Sequence, residues 1–283
     1  MRTGSILAFV ILTAISVVAR STNAVAAKCP RDSVKVGQVC VDLYEASVWQ
    51  IAPSNTKLVR LVQAGKATAA ALTAGGATLL SPATSASSCS PSYPANFPST
   101  GNWTPVLGSS PPSPGVYAVS IPGVLPSACI TWFQANQACL LSGKRLLTNG
   151  EWQGAAAGTP DPGTDNGTTD CNISTAGDAV NTGSRSNCKS SWGVFDMVGN
   201  ANEWVADWTE LASNCTDWTT QTGFPGGDGS CFGGPGGSNS FGVPGGLFRG
   251  GDFGGGTFDG VFAADAIQHP SASLNYVGFR CAR

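Results

Sequence analysis

A loop bounded by two acidic residues is the clearest candidate for chemistry in this chain. Asp196 and Glu203 bracket the sequence Met-Val-Gly-Asn-Ala-Asn, and its glycine lets backbone carbonyls turn inward. Calcium binds six to eight oxygen atoms, backbone carbonyls included, so the loop suits this ion chemically. On spacing alone, a tight turn with solvated acids is favoured over a metal site.

Other kinds of active centre find little support in the residue types. The chain has ten cysteines but one histidine, His269, and its cysteines form no Cys-x-x-Cys pair, which disfavours zinc and iron–sulfur sites. No G-x-S-x-G elbow accompanies its Ser, Asp and His residues. The glycine-rich stretch 223–246 lacks the Lys-Ser/Thr of a phosphate loop. A net charge of −2 without a basic cluster argues against nucleic-acid binding.

The first 27 residues have the features of an export signal. Arg2 precedes the apolar run 6–19, and the small residues 24–26 form a cleavage site. The run is too short to span a bilayer, and no other stretch is long enough. A lipoprotein anchor on Cys29 is the alternative, and Lys28 argues against it. The ten cysteines all follow the signal and predict five disulfides in a secreted, periplasmic or cell-surface protein.

Residues 28–283 are predicted to form a single domain. A hydrophobic content of 42% with 11% charged residues suffices for one sizeable core. Residues 28–126 are expected to form a hairpin closed by Cys29 and Cys40, an amphipathic helix over 56–73 and a Ser/Pro/Gly-rich excursion over 81–114. Residues 127–283 are expected to form the core.

Two further helices are predicted at the start of this core. The pattern over 127–140 indicates a helix with Thr131 as its N-cap. A short helix is expected at 148–152, where Thr148 and Glu151 have capping-box spacing. Beyond Gly158, the abundance of glycine and short polar residues predicts short strands joined by long loops.

Three sequence blocks resemble the family of the formylglycine-generating enzyme, or sulfatase-modifying factor, which has a C-type-lectin-like fold. The blocks read ACITWFQANQACLLSGKRLLTNGEWQGAAAG (128–158), GVFDMVGNANEWVADW (193–208) and FRGGDF followed by VGFRCAR (248–283). The N-terminal YEAS fits the same family. The resemblance implies an α+β, C-type-lectin-like fold with two main helices, short strands and long disulfide-stapled loops.

The resemblance also bears on disulfide pairing. In this family, the cysteine that ends the first core helix is bonded to the cysteine of the terminal GFRC, here Cys139 to Cys281. Cys171 with Cys188 and Cys215 with Cys231 are spaced as local loop staples. Cys89 and Cys129 are the cysteines that remain, and the sequence leaves their pairing open.

The residues needed for the family's oxidase activity are missing. Family enzymes hold copper through two cysteines that follow the RGG motif, because thiolates are soft ligands for Cu(I). The matching positions here are Gly255 and Gly260, so no copper is expected. A branch of the family that binds non-haem iron needs several histidines, and the single histidine of this chain cannot form that site. We therefore expect a non-catalytic pseudoenzyme, the alternative being a formylglycine-generating oxidase with an atypical site.

The resemblance favours structural calcium over an empty turn. Carried over residue by residue, the ligands are the side chains of Asp196 and Glu203 with the carbonyls of Gly199 and Ala201. A second family site is matched in residue type, although across a shorter loop. Its residues are Asn172, Ile173, Asp178 and Val180.

The segment 252–279 has an unusual composition. It contains no Lys, Arg, Glu, Met or Trp, and its other residues follow neither helical nor strand periodicity. This resembles the variable proteins of diversity-generating retroelements, the alternative being a glycine-rich loop of an ordinary inactive family member. Both readings predict a surface that binds an extracellular protein or carbohydrate, with 223–246 as a flexible rim. The predicted binding residues are Asp252, Phe253, Phe258, Asp259, Asp265, Ile267, His269, Leu274 and Tyr276.

Overall fold

The computed structural model describes residues 28–85, 89, 92–100, 115–161, 163–212, 216–217, 229–231 and 244–283. The predicted export signal and most of the predicted rim lie outside these residues. Within the described ranges there are four α-helices and thirteen short strands, and the strands form three sheets. The predicted α+β class is therefore confirmed. None of the helices in this part of the chain is long and apolar enough to cross a membrane.

The two ends of the domain meet in a four-stranded sheet. Its strands are β1 (Ser33–Val36), β2 (Val39–Asp42), β6 (Arg145–Leu146) and β13 (Cys281–Ala282), in the order β1-β2-β13-β6. The β1–β2 hairpin turns through Gly37, whose φ of 58° favours glycine. Cys29 is bonded to Cys40, so the predicted hairpin and its disulfide are confirmed.

A three-stranded sheet separates two parts of the core. It consists of β3 (Ala46–Gln50), β4 (Thr78–Leu80) and β5 (Val116–Ser120), with β3 in the middle. Successive side chains of β5 face opposite sides, as in any strand. Tyr117 packs with the helices that follow β3, whereas Ala118 packs with the first helix of the C-terminal core.

The single helix predicted over 56–73 is wrong, because the chain forms two helices there. These are α1 (Thr56–Gln63) and α2 (Ala69–Ala74). Gly65 interrupts them with a φ of 63°, and a Cβ at that position would lie 2.2 Å from the Asp32 carboxylate. Thr68 then caps α2 in an extended conformation. Gly75 ends α2, as predicted.

The two main helices of the core were located correctly from their caps. They are α3 (Trp132–Leu141) and α4 (Asn149–Ala156). Thr131 and Gln134 form a capping box at α3, and Thr148 and Glu151 form the predicted one at α4.

A six-stranded sheet packs beside α3 and carries the candidate site. Its strands are β7 (Asn202–Glu210), β8 (Thr216–Asp217), β9 (Gly229–Cys231), β10 (Pro244–Arg249), β11 (Ala264–Asp265) and β12 (Val277–Phe279). Their order is β12-β7-β10-β11-β9-β8, and β7 and β10 are antiparallel with a register shift between Gly246 and Phe248. Trp204 of β7 and Phe248 of β10 meet edge to face in the main core.

The remaining disulfides tie the loops to this core. Cys139 of α3 is bonded to Cys281 of β13 across 142 residues, and Cys171 is bonded to Cys188, as predicted. The pairing that the sequence left open is Cys89 to Cys129. The predicted pairing of Cys215 with Cys231 lies outside the residues whose side chains are described.

Candidate functional site

A cleft of about 270 Å³ opens where the β10–β11 loop passes the ends of β7 and β12. Gly250 and Gly251, with φ values of 91° and 85°, turn the chain out of β10 into this loop. Five of the predicted binding residues line the cleft: Asp252, Phe258, Asp259, Asp265 and Tyr276. Asn202, Phe248, Gly251, Gly255, Ala263 and Ala264 complete the lining.

The carboxylates of the cleft are held by neighbouring amides. Asp252 accepts hydrogen bonds from the Gly254 amide and from Asn202 Nδ2 at 2.8 and 3.0 Å. Asp259 Oδ1 accepts one from the Asp252 amide at 3.1 Å, and Asp265 Oδ1 accepts one from the Ile267 amide at 2.7 Å. These bonds fix the positions of all three acids.

Burial in the cleft raises the pKa of each of its three acids. Burial, with the nearby charge of Asp252, raises the pKa of Asp259 to about 9. Burial raises the pKa of Asp265 to about 6 and raises that of Asp252 as well. The three acids therefore do not share one charge state at neutral pH.

Asp259 occupies the space that a side chain at position 255 would need. A Cβ built on Gly255 would lie 2.1 Å from Asp259 Oδ1, and one built on Gly251 would lie 1.9 Å from it. Both distances are far below van der Waals contact, so the carboxylate can take this position only because these residues are glycines.

The other predicted binding residues differ in exposure. Phe253 is buried with Ala83, Ala128 and Ala179, so it supports the loop from beneath rather than presenting a surface. Ile267 and Leu274 are half-buried against the main core. His269 is exposed but lies outside the cleft lining.

A second cluster of acids is buried around Arg280. The Arg280 guanidinium lies 2.7 Å from Glu203 Oε1 and also donates to the carbonyls of Asp42 and Phe195. Trp152 Nε1 donates to Glu203 Oε2 at 2.8 Å. Both oxygens of the Glu203 carboxylate thus serve an ion pair and an indole hydrogen bond. The calcium ligation predicted for Glu203 stays a prediction, in which the ion would have to share the carboxylate with Arg280 and Trp152.

Asp196 lies in the same cluster and has a φ of 58°. Its Oδ2 accepts a hydrogen bond from the Gly183 amide at 2.7 Å, and burial raises its pKa to about 7. Sequence reasoning missed Glu45 as a member of this cluster. The Glu45 carboxylate accepts from the Ala201 amide and from Asn200 Nδ2, and burial followed by the charge of Asp196 raises its pKa. Its position in YEAS was the available signal.

The second predicted calcium set surrounds a polar atom without a partner. Asn172 is buried, and its Oδ1 has no hydrogen-bond partner among the described residues. Asn172 Nδ2 donates to the Asp178 carbonyl, and the Val180 amide donates to Asn200 Oδ1. The Asp178 carboxylate accepts from the Ser85 amide at 2.7 Å. The described residues contain no cluster of three or more His, Cys, Asp or Glu side chains placed for a metal, so a cation here would need amide and carbonyl oxygens in addition to a carboxylate.

Several solved structures are similar to this chain. The "Major Tropism Determinant M1 Variant" is 20% identical with a TM-score of 0.46, and the alignment covers 89% of this chain and 52% of that one. "PvdO from Pseudomonas aeruginosa" is 18% identical with a TM-score of 0.37, and the alignment covers 90% of this chain and 89% of that one. "Treponema denticola variable protein 1" is 18% identical with a TM-score of 0.33, and the alignment covers 88% of this chain and 97% of that one. The chain spans about half the length, or less, of the Major Tropism Determinant structures that it matches.

Family comparison gives a more specific result. A search of curated proteins finds no match. Residues 50–283, most of the chain, match the family model described as "Sulfatase-modifying factor enzyme 1-like domain". The match includes all three blocks on which the predicted resemblance depends, and it confirms that prediction together with its C-type-lectin-like fold. The chain is thus a member of the sulfatase-modifying factor enzyme 1-like family.

Proposed function

We propose that this chain is an exported, non-catalytic member of its family that binds an extracellular protein or carbohydrate through the cleft. The observation that carries the proposal is the position of Asp259. Its carboxylate lies where the side chain of residue 255 would stand, and 255 is the position that matches a copper-binding cysteine of the family's oxidases. A carboxylate is a hard ligand and does not replace a thiolate for Cu(I).

The form of the cleft supports a binding role. Phe258 is 55% exposed at the cleft, and Tyr276 is half-buried beside the acids. Aromatic side chains supply a large contact area at a small cost in conformational entropy, and they often dominate the affinity of an interface. The unusual composition of 252–279 is compatible with diversification of this surface, which we include in the proposal.

We also propose that calcium supports the scaffold at the Asn172 loop. The buried, unpartnered Oδ1 of Asn172 fits an oxygen ligand, and the carbonyls of Ile173 and Val180 together with Asp178 are the other members of the predicted set. A bound ion would supply the partner that Asn172 lacks. Glu203 is left out of this ligand set because its carboxylate is engaged by Arg280.

Two measurements test whether the protein is non-catalytic. Purified protein should bind Cu(I) weakly and leave a sulfatase-type cysteine peptide unchanged. Detection of the aldehyde product by mass spectrometry would support the oxidase alternative and refute the proposal.

The position of Asp259 can be tested with a pair of neighbouring glycines. Gly255→Ala should destabilise the protein by about 1–3 kcal/mol, because the new methyl group displaces the Asp259 carboxylate. Gly254→Ala is the matched control: its Cβ would lie 3.5 Å from the nearest atom, so a change within about 0.5 kcal/mol is expected. Equal unfolding free energies for the two variants would contradict the packing described here.

The binding surface is tested with exposed aromatic residues. A ligand is first sought on glycan and surface-protein arrays. Phe258→Ala should then weaken binding by about 2 kcal/mol or more, roughly thirtyfold in Kd, without changing the melting temperature. Trp192→Ala is the control, since Trp192 is 45% exposed and lies outside the cleft lining. Loss of binding in the control alone would place the binding surface elsewhere.

A further inference from the structure

The cleft contains an excess of acidic groups. Asp252, Asp259 and Asp265 line it, and none of the described residues that share the lining is a lysine, an arginine or a histidine. Asp161 is close enough to influence Asp259 and adds further negative charge. A ligand with a positive group would offset this charge, whereas an anionic ligand would increase it.

One oxygen in this group is left without a partner. Asp259 is 4% exposed, and its Oδ2 has no hydrogen-bond partner among the described residues, while Oδ1 accepts from the Asp252 amide. Leaving a buried polar oxygen without a partner is unfavourable, so buried polar atoms normally have one. A cationic ligand that donates an N–H to Oδ2 would supply the missing partner and displace the proton that the free carboxyl carries at neutral pH.

The geometry favours an organic cation over a metal ion. Both oxygens of Asp252 and one of Asp265 already accept hydrogen bonds, and the described acids form no cluster placed for a metal. An ammonium or guanidinium group needs directional acceptors instead of a full oxygen shell. Its aliphatic stem can pack against Phe258 and Tyr276, and the charged head is attracted to aromatic faces.

The size of the cleft limits how much of a ligand it can hold. A volume of about 270 Å³ is just below the range of about 300–1,000 Å³ typical of sites that enclose a whole small molecule. It suits one side chain of a larger partner. We infer that the cleft receives a lysine or arginine side chain presented by a protein ligand. This inference rests on the proposed function and narrows the ligand to a protein with a basic contact residue.

The test uses the full mature chain and four small probes. N-acetyl-lysine methylamide and N-acetyl-arginine methylamide carry the cationic group, and the norleucine and citrulline analogues are their neutral counterparts. Titration calorimetry or NMR should show binding of one or both cations, with each neutral analogue at least tenfold weaker. Stronger binding of one cation identifies which basic side chain the cleft prefers.

Variants assign the binding to the cleft. Asp259→Asn and Asp265→Asn should each weaken the cationic probes at least tenfold, with melting curves confirming that both variants fold. Glu210→Gln is the matched control, because it removes an exposed carboxylate outside the cleft lining and should leave Kd unchanged. Two variants are used so that a folding defect in one does not prevent the test.

Three outcomes would overturn the inference. These are equal binding of cationic and neutral probes, no binding of any probe, or displacement of the bound lysine or arginine probe by calcium ions, which would identify the cleft as a metal site. These results differ from failure of the proposed function. If the probes fail but Phe258→Ala still abolishes capture of an array ligand, the cleft region binds a ligand without a basic side chain. If Phe258→Ala also has no effect, both proposals are refuted.

Discussion

Replacing Asp259 with asparagine should change how the stability of this protein depends on pH. Burial and the charges of Asp252 and Asp161 raise the pKa of Asp259 from its ordinary value of 3.8 to about 9. Between these values the folded protein retains a proton that the unfolded chain releases. The stability associated with this proton is complete below about pH 4 and is lost as pH rises towards 9. Asparagine resembles the protonated acid and does not titrate, so this loss should be absent in the variant.

The magnitude follows from proton linkage. A difference of one bound proton changes the unfolding free energy by about 1.4 kcal/mol per pH unit. Between pH 6 and pH 8, Asp259→Asn should therefore gain about 3 kcal/mol relative to the wild type. Asp42, Asp196 and Asp265, whose pKa values are raised to about 6, 7 and 6, contribute to both proteins and largely cancel in the comparison.

Urea unfolding at pH 6, 7 and 8, with the disulfides intact, measures this difference. Any constant effect of the new amide group is removed because only the change with pH is used. Glu210→Gln, an exposed substitution, should show a difference from the wild type that does not vary with pH. If the unfolding free energy of Asp259→Asn also differs from that of the wild type by the same amount at every pH, Asp259 is ionised in the folded protein. The raised pKa would then be refuted.

Three further predictions concern the scaffold. Removing the Cys139–Cys281 bond by replacing both residues with serine should lower the unfolding free energy by about 5 kcal/mol in the chain-entropy model, and urea unfolding measures it; little or no loss would contradict this estimate. Chelation should lower the melting temperature, because an ion at a hundredfold excess over Kd stabilises the native state by about 2.7 kcal/mol, and Asn172→Ala should reduce that response. Identical curves with and without chelator, once elemental analysis excludes a trapped ion, would remove the calcium proposal. Glu203→Gln should lower the unfolding free energy by about 3–5 kcal/mol, because it leaves Arg280 without its charge partner. This loss should be the same with and without chelator. A loss that chelation abolishes would instead identify Glu203 as a calcium ligand.

Helix caps and covalent links were the most predictable parts of the fold. Thr131, Thr148 and Gly75 all act at helix ends as their sequence context predicts, because capping depends on a few neighbouring residues. The break between α1 and α2 was missed because it depends on a tertiary contact. Gly65 must approach Asp32, a residue far away in the sequence.

The candidate site was predictable as a region but less so residue by residue. The composition of 252–279 located the cleft, yet it did not distinguish the exposed Phe258 from the buried Phe253. Both phenylalanines lie among glycines and carry no periodic signal that would assign them to a face. Their exposure is decided by the path of the loop, which depends on the positive φ values of Gly250 and Gly251.

Gly255, at the position predicted to match a copper-binding cysteine, and Asp259 are best understood together. From sequence, Gly255 indicates only the loss of a ligand atom, and Asp259 is one acid among several. In the folded chain, the carboxylate fits because glycine leaves its space open, and the same packing buries the acid and leaves Oδ2 without a partner. A side chain at 255 would force Asp259 out, whereas glycine allows a deep acidic group in a cleft with aromatic walls. The position that matches a metal ligand of the family's oxidases therefore supports, in this chain, a cleft whose charge and shape favour recognition of a basic side chain.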